Sequence, residues 1–349
     1  MISKIIAEEL IVSVKREIED AEKIVMVAHV GPDGDAMGAS LGMWHFLMTL
    51  GKDPKVIVPT PPPDFLMWMP GAEEALIYVF QKKEAEKLIA EADLIFALDF
   101  NTPNRLALMT DAFTASKARK VMIDHHLNPD KDFVDIVISH PEISSTSELI
   151  FRLICRMGHF SDINLGCAEA IYTGMMTDTG GFTYNSNHEE IYSIIYELIK
   201  LGVDKDIIYR KVYDTFSEDR MRLQGYCVYK KMKLYPEYQA AIITLTQDEM
   251  KEFNYTNGDA EGFVNIPLSI KDVVFSVFMR EDPCKIKISL RSQGDFPTNT
   301  FAEEIYGGGG HLNASGAESY TTMEEAVKKF EEGLPTFKEF LPITPGEEF

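Results

Sequence analysis

In Ile24-Val25-Met26-Val27-Ala28-His29-Val30-Gly31-Pro32-Asp33-Gly34-Asp35-Ala36-Met37-Gly38, five apolar residues run into a histidine and then into a loop of glycine, proline and aspartate. An apolar run this short, bounded by turn residues, reads as a buried strand. Ala36 to Leu50 then reads as a helix closed by Gly51, and Lys55 to Val58 as the next strand, which completes a βαβ unit. Upstream, Ile5, Ile6, Leu10, Ile11 and Val14 fall on one helical stripe. Downstream the alternation continues with a helical, charged Lys82 to Glu91, a strand Leu94 to Leu98 ending at Asp99 and a helix around Asn104 to Ser116. A strand Lys120 to Ile123 then runs into Asp124, His125 and His126. The pattern predicts an α/β fold on a parallel sheet with helices on both faces.

Ile136 to Ser139 reads as a further strand. Ser145 to Met157, Gly166 to Met176, Glu189 to Leu201 and Lys205 to Asp214 read as helices, with Asp178 to Gly181 as a tight loop. Arg220 to Lys233 fits a bridging helix, and its surroundings hold Tyr, Phe and Met residues, between Tyr209 and Tyr235, expected as core and bridging contacts rather than a base-stacking platform. The pattern then changes. Tyr238 to Thr246, Asp272 to Arg280 and Lys285 to Ser292 read as strands, the last two joined by a hairpin at Glu281 to Cys284, and Thr322 to Glu332 reads as a closing helix. The expected organisation is a first domain at 1–215, a linker helix at 216–233, a smaller α+β domain at 234–340 and a loose tail at 341–349.

The 349 residues allow two domains, each with its own core. Apolar residues at 45% and charged residues at 26% fit neither a membrane bundle nor a disordered chain. With 34 basic against 55 acidic residues the formal net charge is −21, which opposes binding to long duplex nucleic acid, so a nucleotide partner is expected to be short, or to be met by a local basic site or by metal. Cys155, Cys167, Cys227 and Cys284 are too scattered for a zinc site or a disulfide framework and suit a reducing cytoplasm. Charges interrupt the first 23 residues and no run reaches 18 apolar residues, so neither export nor membrane spanning is expected.

His29, Asp99 and Asp124-His125-His126 each follow a strand directly, and the carboxyl ends of parallel strands form the ligand crevice of an open α/β sheet. Three strand ends therefore converge. Asp33 and Asp35, two apart in a glycine-containing loop, can face different cations, with His29 joining one of them; a polar turn is the bland alternative. Asp99 ends a wholly apolar strand, where its carboxylate is paired, metal-bound or a helix cap. Asp178 follows an apolar helix and can equally be a turn residue. Gly307-Gly308-Gly309-Gly310-His311 combines bare backbone with an imidazole, a pattern suited to close approach of an anion, against the alternative of a flexible linker.

Taken together, these segments resemble the DHH phosphoesterase superfamily across about residues 20–335, and within it the bacterial oligoribonuclease and pAp phosphatase (nanoRNase) branch. His29, Asp33, Asp35 and Gly38 match the first motif, Asp99 the second, Asp124-His125-His126 the third and Asp178 the fourth, while Gly308 to Gly316 match the glycine-histidine signature of the DHH-associated domain. Departures are small: Gly31 stands where many relatives have Asn, and Gly307 is an addition. The resemblance implies one divalent cation on His29, Asp33 and Asp99 and a second on Asp35, Asp99, His125 and Asp178, with Mn²⁺ favoured and Mg²⁺ the alternative. The four ligand carboxylates then balance two divalent charges. His126 is the candidate to contact phosphate or protonate the leaving oxygen, with Asp124 orienting the site. Arg291, Gly308, Gly309, Gly310 and His311 are expected to hold a terminal phosphate in a cleft between domains, and Arg105 is a further phosphate candidate; surface pairing and a solvated helix face are the alternatives.

The implied activity is two-metal hydrolysis of phosphoester bonds, exonucleolytic on short oligoribonucleotides and converting 3′-phosphoadenosine 5′-phosphate (pAp) to AMP and phosphate. The competing readings are a linear or cyclic dinucleotide (pApA, c-di-AMP) phosphodiesterase, a RecJ-like single-strand exonuclease, and a nucleotide-binding regulator without catalysis. The expected partners are short oligonucleotides and pAp, with no membrane and with a homodimer left open.

Overall fold

In the computed structural model, which describes residues 3–341, the chain divides into two units between Thr215 and Phe216. The first unit opens with α1 (Glu8–Asp20), β1 (Ile24–Val27), α2 (Gly34–Thr49) and β2 (Lys55–Val58). It continues through β3 (Leu76–Ile77), α3 (Tyr78–Glu91), β4 (Leu94–Leu98), α4 (Thr110–Ala115), β5 (Arg119–Asp124) and β6 (Ile136–Ser139). Four helices close it: α5 (Thr146–Arg156), α6 (Leu165–Asp178), α7 (Glu189–Lys200) and α8 (Lys205–Tyr213). The six strands form one parallel sheet in the order β3-β2-β1-β4-β5-β6, so the ends of β1, β4 and β5 lie side by side.

Strand alternation explains the layers. In β1, Ile24 and Met26 join the core built with α2, α5 and α6, whereas Val25 and Val27 face Ala85 and Ile89 of α3 and Phe113 of α4. Both faces of the sheet are therefore covered by helices, as the near-continuous apolar strands require. Among the described residues no helix is long and apolar enough to cross a membrane.

Two expectations are corrected here. The segment expected as one helix from Asn104 to Ser116 is a 3₁₀ stretch, Pro103–Met109, followed by the short α4. The Arg105 carbonyl accepts the Val30 N–H at 2.7 Å, and Thr110 Oγ1 donates to the Pro103 and Ala107 carbonyls at 3.0 and 2.8 Å. These bonds take acceptors that an α-helix needs, and Ala107 turns to φ 48°. Asp178, expected in a tight loop, is instead the last residue of α6, and the left-handed Gly180 and Gly181 follow it.

The second unit begins with α9 (Glu218–Tyr226), a π-helical turn (Cys227–Lys231), β7 (Lys233–Tyr235), β8 (Ala240–Leu245) and α10 (Gln247–Glu252). It ends with β9 (Phe275–Asp282), β10 (Lys285–Ser292), α11 (Thr298–Tyr306), β11 (Gly309–His311), β12 (Ala314–Ser319) and α12 (Met323–Gly333). Its sheet runs β11-β12-β10-β9-β8-β7, antiparallel except for the β8–β9 pair. The segment expected as a linker helix contributes to this unit's core, with Leu223 and Cys227 fully buried against Ile243, Leu245, Phe263 and Phe278. Tyr209 and Tyr229, expected among the core aromatics, are exposed at 47% and 81%. Residues 342–349 of the expected tail lie outside the described residues.

The site depends on how closely α2 packs on α6. At Gly38 an added Cβ would lie 2.6 Å from the Ala170 carbonyl oxygen and 2.8 Å from the Gly174 nitrogen, both rigid backbone. Gly38→Ala is therefore expected to lower stability by about 1–3 kcal/mol in urea denaturation. A change under about 0.5 kcal/mol, the scatter of neutral surface substitutions, would refute this packing.

Candidate metal centre

His29 and Asp99 follow β1 and β4, Asp124 ends β5, and His125 and His126 come directly after it. These three adjacent strand ends receive Asp33 and Asp35 from the start of α2 and Asp178 from the end of α6. Asp33 caps α2, its Oδ1 accepting the Asp35 and Ala36 N–H groups at 3.0 Å each, which leaves Oδ2 3.8 Å from His29 Nε2. Asp35 lies two residues on, buried in the first turn of α2. Its Oδ2 accepts the Thr146 N–H at 2.6 Å and its Oδ1 the Ser147 N–H at 2.8 Å, so the amino end of α5 holds a buried carboxylate.

Asp99 lies between these groups. It is 2% exposed, holds φ at 64°, and accepts the Thr146 hydroxyl on Oδ1 at 2.9 Å. A left-handed aspartate costs on the order of 1 kcal/mol or more, and such strain recurs where a side chain must be aimed. Asp99 Oδ2 lies 3.5 Å from His29 Nε2, and Asp99 Oδ1 3.7 Å from His125 Nε2.

The two histidines are oriented alike. Nδ1 of His29 lies 3.0 Å from the Val30 carbonyl and Nδ1 of His125 3.1 Å from the Ile143 carbonyl, positions in which each Nδ1–H donates and Nε2 presents its lone pair. Nε2 of His29 is buried with no hydrogen-bond partner. Nε2 of His125 faces Asp178 Oδ2 at 3.4 Å and Asp35 Oδ2 at 3.9 Å. His29, Asp33 and Asp99 thus form one group whose donor atoms could share a metal ion, and Asp35, His125 and Asp178 form another. His126 also falls in a group with Asp99 and His125, but its Nδ1 is 2.7 Å from Asp124 Oδ1 and its N–H donates to Asp124 Oδ2 at 3.0 Å. Asp124 is wholly buried and holds His126 from behind.

The protons reflect the crowding of acids. Burial opposes a charged His29, yet the carboxylates of Asp33 and Asp99 beside it outweigh that and raise the imidazole to about 10. Burial likewise opposes a charged His125, and the charges of Asp178, Asp99 and Asp35 raise it to about 9. Burial pushes Asp178 up to about 7 and, with the charges of Asp99 and Asp178, holds Asp35 well above the usual carboxylate range. Asp99 goes the other way: burial is outweighed by His29 beside it and by the charges of His126 and His125, which hold the carboxyl below the usual range. A crevice that must borrow protons to contain its own carboxylates is suited to divalent cations.

The remaining candidates lie elsewhere. Arg105 is exposed, and its carbonyl accepts the Val30 N–H in the loop after His29. In the second unit Arg291 of β10 and His311 of β11 are both in register with Ala314 of β12, which puts them on one face about 10 Å apart. The expected backbone cradle is partly corrected: the Gly308 N–H donates to the Ala302 carbonyl at 2.9 Å and closes α11, and Gly309 and Gly310 form the edge strand β11. By sequence, Thr146 follows the strand Ile136 to Ser139 and could line the crevice or equally cap a strand end, whereas Ser147 and Ile143 offer no such sign. The run Ser144-Ser145-Thr146-Ser147 ahead of an amphipathic helix was the available signal, since Ser145 caps α5 and fixes the two N–H groups on Asp35.

Residues 23–175 match the model of the DHH family, N-terminal domain, and residues 237–340 that of the DHHA1 domain. A solved structure of an exopolyphosphatase-related protein from Bacteroides fragilis is 60% identical, covers 97% of this chain and 99% of its own, and superposes with a TM-score of 0.94. The chain belongs to the DHH family. Two further relatives of this DHH protein are named bifunctional oligoribonuclease and PAP phosphatase NrnA. That of Thermus thermophilus is 29% identical over 88% of this chain and 89% of its own, and that of Bacillus subtilis 28% identical over 88% and 93%.

The Thr146 hydroxyl bonds a buried charge, and such bonds contribute roughly 1.5–3 kcal/mol. Thr146→Val is expected to lose about that much stability in urea denaturation and Thr146→Ser to keep it. Equal losses in the two variants would show that the methyl group matters and the bond to Asp99 does not.

Proposed function

We propose that this DHH protein is a metal-dependent phosphoesterase that trims short oligoribonucleotides exonucleolytically and converts pAp to AMP and phosphate. The supporting observation is the pair of donor groups, His29-Asp33-Asp99 and Asp35-His125-Asp178, at adjacent strand ends, with the unpartnered Nε2 of His29 aimed between two carboxylates. His29, Asp33 and Asp99 would hold one cation and Asp35, Asp99, His125 and Asp178 the other, with Asp99 common to both. Carboxylates with two imidazoles and no thiolate suit Mn²⁺, with Mg²⁺ the second choice. When bound, such ions supply charge neutralisation and activate water for in-line attack on phosphorus.

The protein's own groups do the rest. Asp124 fixes the His126 ring through Nδ1, so Nε2 is the atom that passes a proton to the leaving oxygen as the P–O bond breaks. Thr146 and Ser147 keep Asp35 and Asp99 from turning away. Arg291 and His311, on one face of the second sheet, are the candidate grip on a terminal phosphate, where a guanidinium makes paired bonds. The −21 net charge favours short substrates over long polyanions. The NrnA relatives, by their names, fit the same substrate pair.

Purified protein with Mn²⁺, assayed on pAp, pApA and a 5-mer labelled at each end, tests this reading. Release of phosphate from pAp together with shortening of the 5-mer from one end is the expected result, and cleavage of pApA alone would move the assignment to a dinucleotide phosphodiesterase. Asp99→Asn is expected to reduce bound metal, read by elemental analysis, and to lower turnover by at least about 10³-fold; full activity after exhaustive chelation would end the metal assignment. His126→Ala is expected to lower kcat by roughly 10²–10⁴-fold with metal content unchanged, and a variant as active as the parent would remove the acid role.

A further inference from the structure

The hydroxyl residues Ser144, Ser145, Thr146 and Ser147 stand in a row at the start of α5, all buried, and they divide between two tasks. Thr146 and Ser147 serve the candidate metal centre, where their N–H groups hold Asp35. Ser144 and Ser145 serve Glu148 instead. Ser145 Oγ accepts the Glu148 N–H at 3.1 Å, and the Ser144 hydroxyl donates to Glu148 Oε2 at 2.6 Å. In an ordinary capping box the carboxylate three residues into the helix returns to the N–H of the cap residue, here Ser145. Glu148 Oε2 takes the N–H of the residue before it, Ser144, at 3.3 Å.

That shift by one residue matters because the Ser144 N–H and the Ile143 carbonyl belong to one planar trans peptide and point in opposite directions. The N–H is held by Glu148, and the carbonyl accepts the Nδ1–H of His125 at 3.1 Å. Rotation of this plane breaks both bonds. Glu148 is fixed in its turn by Arg152, whose Nε and Nη2 donate to Oε1 at 2.8 and 2.7 Å. Arg152 also donates to Glu190 of α7 at 2.7 Å and to the Ser3 carbonyl at 3.3 Å. Glu148 and Arg152 are 1% and 3% exposed. A tie between helices does not require buried charge, since apolar residues of similar volume often hold as well. A carboxylate with both oxygens committed does something more, because it sets a direction for the peptide it grips.

We propose that Arg152 and Glu148, acting through Ser144, are positioning residues for His125: they orient the Ile143–Ser144 peptide so that the imidazole presents Nε2 to the cation shared with Asp35, Asp99 and Asp178. The cation belongs to the phosphoesterase reading above, on which this rests, and two measurements separate them. The first needs no metal. In metal-free protein carrying isotope-labelled histidine, proton–nitrogen NMR is expected to show a slowly exchanging Nδ1 proton of His125, identified by its loss in His125→Gln. Ser144→Ala should lose that resonance, and so should Glu148→Gln, whose amide offers one acceptor oxygen for two partners. Glu190→Ala, which cuts the tie to α7 and leaves the grip on Ser144, should lower Tm and keep it. In the second, calorimetric titration with Mn²⁺, the wild type is expected to take up two ions. Ser144→Ala should weaken one step about tenfold, the scale of a partner lost from behind a metal-bound histidine, and spare the other, while Glu190→Ala alters neither. Glu148→Gln carries both measurements if Ser144→Ala fails to melt cooperatively. A resonance absent from the wild type or retained in Ser144→Ala, two unchanged Mn²⁺ steps after its loss, or equal effects of Ser144→Ala and Glu190→Ala overturns the proposal. If the resonance depends on Ser144 but the wild type takes up no pair of ions, the positioning of His125 stands and the two-cation reading falls.

Discussion

One buried carboxylate organises this molecule. Asp99, held in a left-handed conformation at the end of the central strand β4, has His29 on one side, His125 on the other and the Thr146 hydroxyl on Oδ1. Asp33, Asp35 and Asp178 complete a cluster in which unit charges a few ångströms apart repel by about 4 kcal/mol each at protein-like screening. Such a cluster persists only if protons or cations occupy it. The raised Asp35 and Asp178 and the strongly basic His29 and His125 are the protonic answer, and divalent metal is the chemical one.

The scaffold follows from that constraint. Three parallel strands end together because the sheet order places β1, β4 and β5 side by side, and helices α2, α5 and α6 then bring the remaining groups from outside the sheet. α2 is apolar nearly all round, since it is packed between the sheet and neighbouring helices, and Gly38 and Gly174 let it approach α6 at backbone distance. The amino end of α5 contributes N–H groups instead of a side-chain cation, which neutralises part of the Asp35 charge without placing a competing ligand in the crevice. Phe182, at φ 63° just beyond α6, carries left-handed backbone strain that ordinary loop residues avoid.

Much of this was legible in the chain itself. The strands Leu94 to Leu98 and Lys55 to Val58 coincide with their apolar runs, because a doubly covered parallel strand needs continuous apolar residues. β3 and β11 were not legible, being two and three residues long with no periodicity to detect, and neither was β12, whose Ala-Ser-Gly-Ala-Glu-Ser carries little apolar weight. The helix from Asn104 failed because its acceptors are claimed by Val30 and Thr110, the first of which is distant in sequence.

The order of polar residues at strand ends determined which side chains compete for one crevice, since hydrophobic patterning fixes where each strand stops and parallel topology gathers the stops. Sequence could not determine which of those side chains face one another, or that Ser147 and Ile143 hold Asp35 and His125 in place. Those depend on contacts between residues far apart in the chain, and only packing of α5 and α6 against the sheet, to within a few tenths of an ångström, decides them.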